Sequence, residues 1–187
     1  MMHQHSPVPV YILMGTCGSG KTSVALELQS VLGCEFIEGD KFHPPANVNK
    51  MSNGIPLTDD DRWDWLKMIK NKYVEQSTEL FEQSINKSRV ILVTCSALKR
   101  VYRDILNDVP LDRCSVTYVY LKASFELISN RMKMRKDHFM SVNMLISQME
   151  ILEEPDPNEE SVIIQSIEPD VKDICENLAK IIEMRLY

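Results

Sequence analysis

Eight residues near the start of the chain have the spacing of a phosphate-binding loop: Gly15-Thr16-Cys17-Gly18-Ser19-Gly20-Lys21-Thr22. The three glycines can adopt positive φ and turn backbone N–H groups inward around an anion. Lys21 is predicted to reach the β- and γ-phosphates of a nucleoside triphosphate, and the Thr22 hydroxyl to ligate Mg²⁺. A merely tight strand–helix turn is the alternative, but it does not explain why three of the chain's six glycines cluster here.

A carboxylate follows the second strand-like segment, in the sequence Gly39-Asp40-Lys41-Phe42-His43-Pro44. At the carboxyl end of a strand beside the phosphate loop, Asp40 is placed to orient an attacking hydroxyl group and accept its proton. A helix N-cap or an ordinary loop position explains an aspartate here equally well. The sequence around Asp40 therefore leaves both roles open.

Basic side chains follow the third strand-like segment. Lys99 and Arg103 are four residues apart, which places them on one face of a predicted helix. Arg62 follows the acidic triplet Asp59-Asp60-Asp61, whose charge is partly explained by the start of a helix. Cations at the carboxyl end of a strand suit a substrate that carries a carboxylate.

Strand-like and helix-like segments alternate along the chain, as is typical of a parallel sheet with helices on both faces. Apolar and β-branched runs predict five strands, at Val8–Met14, Cys34–Glu38, Arg89–Thr94, Ser115–Leu121 and Ser161–Ile167. Helical spacing predicts helices near residues 21–32, 59–85, 99–106, 124–134, 142–152 and 170–186. The fold class is therefore α/β, a doubly wound parallel sheet in which ligands bind beyond the carboxyl ends of the strands.

The chain of 187 residues is long enough for one domain with a full core and short for two. We expect residues 1–7 to be a disordered tail and residues 153–160 to be an acidic, solvated loop. The net charge of −6 lacks the basic footprint of a nucleic-acid-binding protein. No apolar run approaches the roughly 18 to 20 residues that cross a bilayer, so a membrane is not an expected partner either.

Five cysteines are scattered along the sequence without the spacing of metal ligands: Cys17, Cys34, Cys95, Cys114 and Cys175. Reduced thiols in a cytoplasmic protein are the better interpretation. We expect the four cysteines outside the phosphate loop to be small core residues.

Acidic residues narrow the class of nucleotide-binding protein. The Asp-x-x-Gly and Asn-Lys-x-Asp signals expected of a GTPase do not occur in the sequence. The third strand ends in Val93-Thr94-Cys95-Ser96, without the acid that usually closes a Walker B strand, whereas the second runs into Glu38-Gly39-Asp40. This layout fits a small-molecule kinase better than a motor-type ATPase.

Several further blocks of residues accompany the phosphate loop between Val8 and Pro155. They are Gly39-Asp40 with His43-Pro44, Gly54-Ile55-Pro56-Leu57 with Asp59-x-Asp61-Arg62 and Trp65-Leu66, Cys95-Ser96-Ala97-Leu98-Lys99 with Tyr102-Arg103-Asp104, Arg131 with Arg135 and His138-Phe139, and Ser147-Gln148 with Leu152-Glu153-Glu154-Pro155. In this order, they resemble the small P-loop gluconokinases, which are related in fold to shikimate and nucleoside monophosphate kinases.

The resemblance implies ATP-dependent phosphorylation of the 6-hydroxyl of D-gluconate, giving 6-phosphogluconate for the pentose phosphate pathway. It implies a mobile lid around residues 131–140, with Arg131 against the adenine and Arg135 near the transferring phosphate. Lys21, Asp40 and Arg135 are then catalytic, and the loop residues 15–22 bind ATP with Arg131. The expected gluconate-binding residues are Asp40, His43, Lys50, Arg62, Ser96, Lys99, Arg103 and Gln148.

Several residues depart from the family pattern without removing a phosphate ligand or an acid–base group, among them Cys17, Thr22, Glu38, Asp137, Met149 and Ile151. Cys17 stands where Ser is common, and Glu38 replaces an Asp with an expected role near Mg²⁺. The nearest alternative is another kinase of this fold, such as a shikimate kinase, which carries a glycine-rich turn where this chain has Cys95-Ser96-Ala97. A catalytically silent nucleotide-binding protein is the alternative from another class. Family members often form homodimers, an assembly that one chain does not reveal.

Overall fold

The computed structural model describes residues 6–82, 88–134 and 142–186. Within these ranges five strands form one parallel sheet in the order β2-β3-β1-β4-β5. The strands are β1 (Val8–Met14), β2 (Glu35–Glu38), β3 (Ile91–Thr94), β4 (Cys114–Lys122) and β5 (Val162–Ser166). The predicted α/β class and all five strands are confirmed.

Helices connect the strands and cover the sheet. In the described ranges they are α1 (Lys21–Leu32), α2 (Pro45–Ser52), α3 (Trp63–Glu82), α4 (Arg100–Asn107), α5 (Phe125–Met134), α6 (Val142–Glu150) and α7 (Val171–Met184), with a 3₁₀ turn at Gly39–Phe42. None of these described helices is both long and apolar enough to cross a membrane. The 3₁₀ turn and α2 were not predicted, because two prolines resemble a loop signal, although Pro45 also suits the first position of a helix.

Both faces of the sheet are buried. Tyr11 and Leu13 belong to one core cluster with residues of α1 and α7, whereas Val10 and Ile12 belong to a second cluster with residues of α3 and α4. Because β1 also lies between β3 and β4, its sequence is a continuous apolar run. The cysteines predicted as core residues are buried free thiols: Cys34, Cys95, Cys114 and Cys175.

The acidic triplet forms a turn before α3 rather than its first turn. Helix α3 was predicted from Asp59 but begins at Trp63. The Asp61 carboxylate instead accepts hydrogen bonds from the backbone N–H (2.8 Å) and hydroxyl (2.9 Å) of Thr58. Local side-chain bonds of this kind compete with the helical ladder and delay the start of the helix. The last predicted residues of this helix, 83–85, lie outside the described residues.

Residues 153–160 were predicted to be solvated surface, and this prediction is wrong in part. Residues 156–159 are exposed, but Pro155 is buried, and the Glu160 side chain is 3% exposed. Glu160 accepts hydrogen bonds of 2.6 Å and 3.0 Å from the Arg103 guanidinium, 57 residues away in the sequence. A charge is buried here because a distant partner compensates it.

Two predicted segments lie largely outside the described residues. Residues 1–5 of the predicted tail and residues 135–140 of the predicted lid are not described, and Arg135 is among them. The described part of the predicted lid, residues 131–134, is the last turn of α5.

Candidate active site

The phosphate loop connects β1 to α1. Gly15, Gly18 and Gly20 have positive φ angles of 138°, 77° and 90°, as predicted. A Cβ atom at Gly18 would lie 2.8 Å from Cγ2 of Ile128 on α5, so the position needs glycine for space as well as for backbone geometry. The loop therefore has the conformation of an anion-binding nest.

Side chains of the loop complete this nest. The Lys21 ammonium donates to the carbonyl oxygens of Gly15 (3.0 Å) and Thr16 (2.9 Å). Among the described residues, the buried Ser19 hydroxyl has no hydrogen-bond partner. Thr22 is exposed, as a metal-ligating hydroxyl requires. Backbone donors at a helix N-terminus, a lysine and an unpaired hydroxyl together fit the phosphates of a nucleotide.

The charge of Lys21 depends on its surroundings. Burial lowers the pKa of Lys21, and nearby acidic groups, with Asp40 foremost, oppose that shift. The negative charge of Asp40 therefore favours the protonated form of the phosphate-loop lysine. The two residues also line the same cleft.

Gly39 fixes the start of the segment that carries Asp40. Its N–H donates to the Thr94 hydroxyl (3.1 Å), and its carbonyl oxygen accepts from the Trp65 indole (2.8 Å). A Cβ atom at this position would lie 2.0 Å from the Thr94 carbonyl oxygen. Glycine is thus required for the close approach of the ends of β2 and β3, and Asp40 follows directly.

Glu38 is held at the same strand end. The Thr94 hydroxyl, which accepts from Gly39, donates a short hydrogen bond to the Glu38 carboxylate. Thr94 occupies the end of β3, where many P-loop proteins carry an acidic residue. The neighbouring strand β2 therefore presents a carboxylate beside the end of β3.

His43 forms part of the cleft wall as a neutral ring. It stacks on Trp65, with ring centroids 4.1 Å apart and planes 12° from parallel. Burial, with a smaller contribution from the Arg62 charge, lowers the pKa of His43 to about 4. At neutral pH this side chain offers hydrogen bonds to a ligand rather than a positive charge.

Arg62 is a buried cation at the same cleft, with 7% of the residue exposed. Its Nη1 atom donates to the carbonyl oxygens of Leu57 (2.6 Å) and Thr58 (3.0 Å). These two bonds hold the guanidinium against the turn before α3. A positive charge that is both buried and oriented is suited to bind a carboxylate.

Lys50 and Lys99 are each paired with a carboxylate of the acidic triplet. Lys50 contacts Asp61 at 2.6 Å, and this hydrogen bond, with those from Thr58, lowers the pKa of Asp61 to about 2. The Lys99 ammonium donates to both carboxylate oxygens of Asp59, at 2.8 Å each. Much of the positive charge expected from these lysines is therefore neutralised within the protein.

Arg103 lies in the core and does not line the cleft. The residue is 1% exposed, and beyond its pair with Glu160 the guanidinium donates to the carbonyl oxygens of Ala97 (3.0 Å), Leu98 (3.3 Å) and Glu153 (3.0 Å). The expectation that it contacts substrate was based on helical spacing, which does not reveal a partner on a distant loop. These contacts give Arg103 a structural role, in which it holds the segment after β3 against Glu153 and Glu160.

Gln148 connects α6 to the phosphate loop. Its side-chain oxygen accepts a 2.7 Å hydrogen bond from the backbone N–H of Cys17. Both residues line the cleft, as does Ser96 at the end of β3. The carboxamide thus fixes α6 against the phosphate loop at the wall of the cleft.

These side chains surround a cleft of about 370 Å³. It brings together ten of the predicted site residues: Cys17, Gly18, Gly20, Lys21, Thr22, Asp40, His43, Arg62, Ser96 and Gln148. Sequence reasoning missed its apolar wall, which includes Met51, Leu57, Trp65, Met132 and Met144. Leu57 and Trp65 lie in the blocks that carry the family resemblance, whereas nothing in the sequence distinguishes the methionines from core residues.

A second cavity of about 280 Å³ adjoins the other side of the phosphate loop. Arg131 lines it together with Gly18, Ile167 and Pro169. The Arg131 guanidinium donates a 2.6 Å hydrogen bond to the Ile167 carbonyl oxygen. The predicted nucleotide-binding arginine therefore lies beside the phosphate loop, across it from the acceptor residues.

Known proteins resemble this chain over most of its length, although no protein-family model matches it. The thermoresistant gluconokinase of Escherichia coli K12 is 36% identical, over 97% of this chain and 95% of that protein. A probable gluconokinase of Schizosaccharomyces pombe is 44% identical, over 85% of this chain and 80% of that protein. The solved structure of a gluconokinase from Sinorhizobium meliloti 1021 has a TM-score of 0.76 at 34% identity, covering 98% of this chain and 100% of that one.

The extent of these matches decides the family. A shared phosphate loop alone would leave the acceptor open, because one fold serves many reactions. The similarity instead covers most of each relative as well as most of this chain. The chain therefore belongs to the gluconokinase family of P-loop kinases.

Proposed function

We propose that this protein transfers the γ-phosphoryl group of ATP to the 6-hydroxyl of D-gluconate, giving 6-phospho-D-gluconate and ADP. The observation that carries the proposal is the single cleft shared by the phosphate-loop residues Lys21 and Thr22 and by Asp40, His43 and Arg62 from the strand ends. Phosphoryl transfer requires the donor and the acceptor to meet in one water-poor site.

The phosphate loop serves the donor side. Its N–H groups and the Lys21 ammonium neutralise charge on the β- and γ-phosphates as it develops. The adenosine of ATP lies in the cavity beside Arg131. We assign Arg135 to the transferring phosphate from the family resemblance, since this residue lies outside the described part of the chain.

Asp40 serves the acceptor. Its carboxylate orients the 6-hydroxyl of gluconate and accepts the proton while the hydroxyl oxygen attacks the γ-phosphorus. The bond from the γ-phosphorus to the β,γ-bridging oxygen breaks, and ADP leaves. Asp40 and Lys21 line the same cleft, and the charge of Asp40 raises the pKa of Lys21, which supports this assignment.

The polar residues of the cleft fit a hydroxylated acid. Arg62 supplies a positive charge, while neutral His43, Ser96 and Gln148 supply hydrogen bonds for hydroxyl groups. Lys50 is paired with Asp61, which compensates its charge.

Thr22 and the carboxylates at the end of β2 fit a Mg²⁺ ion. The Thr22 hydroxyl is the protein ligand, and Glu38, held by Thr94, is close enough to Lys21 to affect its charge. When bound with ATP, Mg²⁺ supplies further neutralisation of phosphate charge.

We place this reaction in the cytoplasm. All five cysteines are free thiols, as in proteins of a reducing compartment. D-Gluconate, ATP and Mg²⁺ are the ligands, and the product enters the pentose phosphate pathway.

An ADP-release assay with ATP and Mg²⁺ tests the proposal. Gluconate, shikimate, other sugar acids and nucleoside monophosphates are compared as acceptors, and gluconate is expected to give the strongest turnover. Strong turnover on shikimate without turnover on gluconate would overturn the assignment. ATP binding without ADP release on any acid would favour a silent nucleotide-binding protein.

Two variants test the roles of individual residues in the same assay. Asp40→Asn is expected to lower kcat by about 10²- to 10⁴-fold, because the amide does not accept the proton. Lys21→Ala is expected to lower it by about 10²- to 10³-fold. Asp64→Asn and Lys41→Ala are matched controls, since both residues are exposed. Full turnover by either cleft variant would exclude that residue from its proposed role.

A further inference from the structure

Tyr102 is a buried residue of α4 that contacts the turn before α3. Its hydroxyl donates a short hydrogen bond to the Asp59 carboxylate and lies 3.5 Å from the Nη1 atom of Arg62. The edge of the Trp63 ring also packs against its ring, with centroids 5.7 Å apart. One tyrosine therefore joins the helix after β3 to the turn that carries Arg62.

Burial, and then the hydrogen bond to Asp59, raise the pKa of the Tyr102 hydroxyl. The group therefore keeps its proton at neutral pH and acts as a donor to the carboxylate. The oxygen lone pairs remain available to the guanidinium of Arg62. The Tyr102 hydroxyl is thus oriented between the Asp59 carboxylate, to which it donates, and the Arg62 guanidinium.

One nitrogen of the Arg62 guanidinium makes its contacts with the protein. Within the described residues, the polar contacts of its guanidinium all involve Nη1, which donates to the Leu57 and Thr58 carbonyl oxygens and lies 3.5 Å from the Tyr102 hydroxyl. The guanidinium carbon also lies 5.6 Å from the centre of the Tyr102 ring. Anchoring through one nitrogen leaves Nη2 and Nε for a ligand, and Arg62 lines the cleft. This arrangement suits a bidentate contact with a carboxylate.

Lys99 is the competing candidate for the substrate carboxylate. Its ammonium also lies near the Tyr102 ring, 5.7 Å from the centroid. Both oxygens of Asp59 accept from it at 2.8 Å, however, so its charge is already compensated. A substrate carboxylate approaching Lys99 would meet the charge of Asp59 directly, whereas Arg62 donates to carbonyl oxygens and lowers the pKa of Asp59 less than Lys99 does.

We propose that Tyr102 is a positioning residue for the acceptor site, whose hydroxyl, held by Asp59, fixes the Arg62 guanidinium as the group that binds the substrate carboxylate. This inference rests on the proposed gluconate kinase activity and adds which cation recognises the acid. Tyr102 acts through Arg62 and does not contact the substrate itself.

The Tyr102→Phe variant removes the hydroxyl and keeps the ring contacts. Loss of one hydrogen-bonded anchor is expected to raise the KM for gluconate about five- to tenfold. We expect kcat and the KM for ATP to stay within about twofold, because the phosphate loop and Asp40 are untouched. Tyr120→Phe is the matched control, since its hydroxyl is bonded to Glu154 away from the cleft. A purely structural role would change melting temperatures but leave the KM for gluconate unchanged.

A double-variant cycle tests whether Tyr102 acts through Arg62. We expect Tyr102→Phe to raise the KM for gluconate in the parent protein but to have little further effect once Arg62→Lys is present. If the double variant instead raises the KM for gluconate by the product of the two single-variant fold-changes, the inference is overturned. An unchanged KM in Tyr102→Phe, or a fall in kcat alone, would overturn it as well.

Asp59→Asn provides a second test if Tyr102→Phe does not fold, because the Asp59 side chain is 43% exposed. A weaker acceptor for the Tyr102 hydroxyl is expected to raise the KM for gluconate about two- to threefold. A lower KM would show that the released Lys99 binds the carboxylate and would overturn the inference. Turnover by the parent protein is measured first, so that absence of gluconate phosphorylation refutes the proposed function separately.

Discussion

Replacing Arg103 with methionine separates an architectural role from a substrate-binding role. The guanidinium is 1% exposed and the Glu160 side chain 3% exposed, and their closest contact is 2.6 Å. Arg103→Met leaves the Glu160 carboxylate buried and removes the donor to the carbonyl oxygens of Ala97, Leu98 and Glu153. Fold stability, rather than gluconate binding, is therefore expected to depend on this residue.

The expected loss of unfolding free energy in Arg103→Met follows from these contacts. Removing one partner of a buried ion pair costs about 3 to 5 kcal/mol, because the other charge stays buried without compensation. The Arg100 guanidinium lies 3.5 Å from Glu160 and offsets part of this cost, so we expect a loss near the lower limit, about 3 kcal/mol. That loss is a large fraction of the roughly 5 to 15 kcal/mol that stabilises a typical domain.

Urea unfolding followed by circular dichroism measures this loss. The midpoint is expected to fall with little change in the slope, as for a change in stability alone. Lys67→Met is the control, because its ion pair with Asp64 is solvated and its removal is expected to shift the midpoint far less. In folded Arg103→Met protein, the KM for gluconate is expected to stay within about threefold of the parent value. A tenfold higher KM with an unchanged midpoint would refute the reasoning and return Arg103 to the substrate site.

Two further predictions concern the strand end and the histidine of the cleft. Gly39→Ala places a Cβ 2.0 Å from the Thr94 carbonyl oxygen, so it is expected to lower both the melting temperature and kcat because Asp40 shifts. Gly33→Ala is the control, since a Cβ there meets open space and kcat should not change. Equal kcat values in the two variants would contradict this prediction. The pKa of His43 is about 4 in the folded protein, below its unfolded value of about 6.5, so the unfolded chain binds more protons between these values and stability falls as pH decreases through this window. His43→Gln is expected to flatten that part of the curve of unfolding free energy against pH, and an unchanged slope would assign the dependence to other groups.

Local sequence was sufficient to predict structure where the conformation of a residue depends on its neighbours along the chain. The apolar run of β1 and the glycines of the phosphate loop predicted a buried strand, a nest and a helix that begins at Lys21, all of which the structure contains. Asp40 was placed at the carboxyl end of β2 for the same reason, because a strand end is a local feature. The family blocks identified the acceptor side before any contact was known.

The charged residues after β3 show where local reasoning fails. Helical spacing predicted that Lys99 and Arg103 share one helix face, but α4 begins at Arg100. A loop 57 residues away supplies the acid that neutralises Arg103. Asp59, 40 residues before Lys99, neutralises that lysine in the same way. The strength of a charge depends on burial and on its partner, and neither is a property of sequence spacing.

The sequence by itself determined the fold class and the phosphate loop, because apolar periodicity and glycine positions act over a few residues. Its motif blocks carried the resemblance to the family. The order of the strands and the choice of Arg62 as the available cation were decided only by the tertiary structure. Tyr102 acquired its place between Asp59 and Arg62 in the same way. Each of these features requires contacts between residues that are far apart in the sequence. Packing and charge compensation in the folded chain stabilise those contacts.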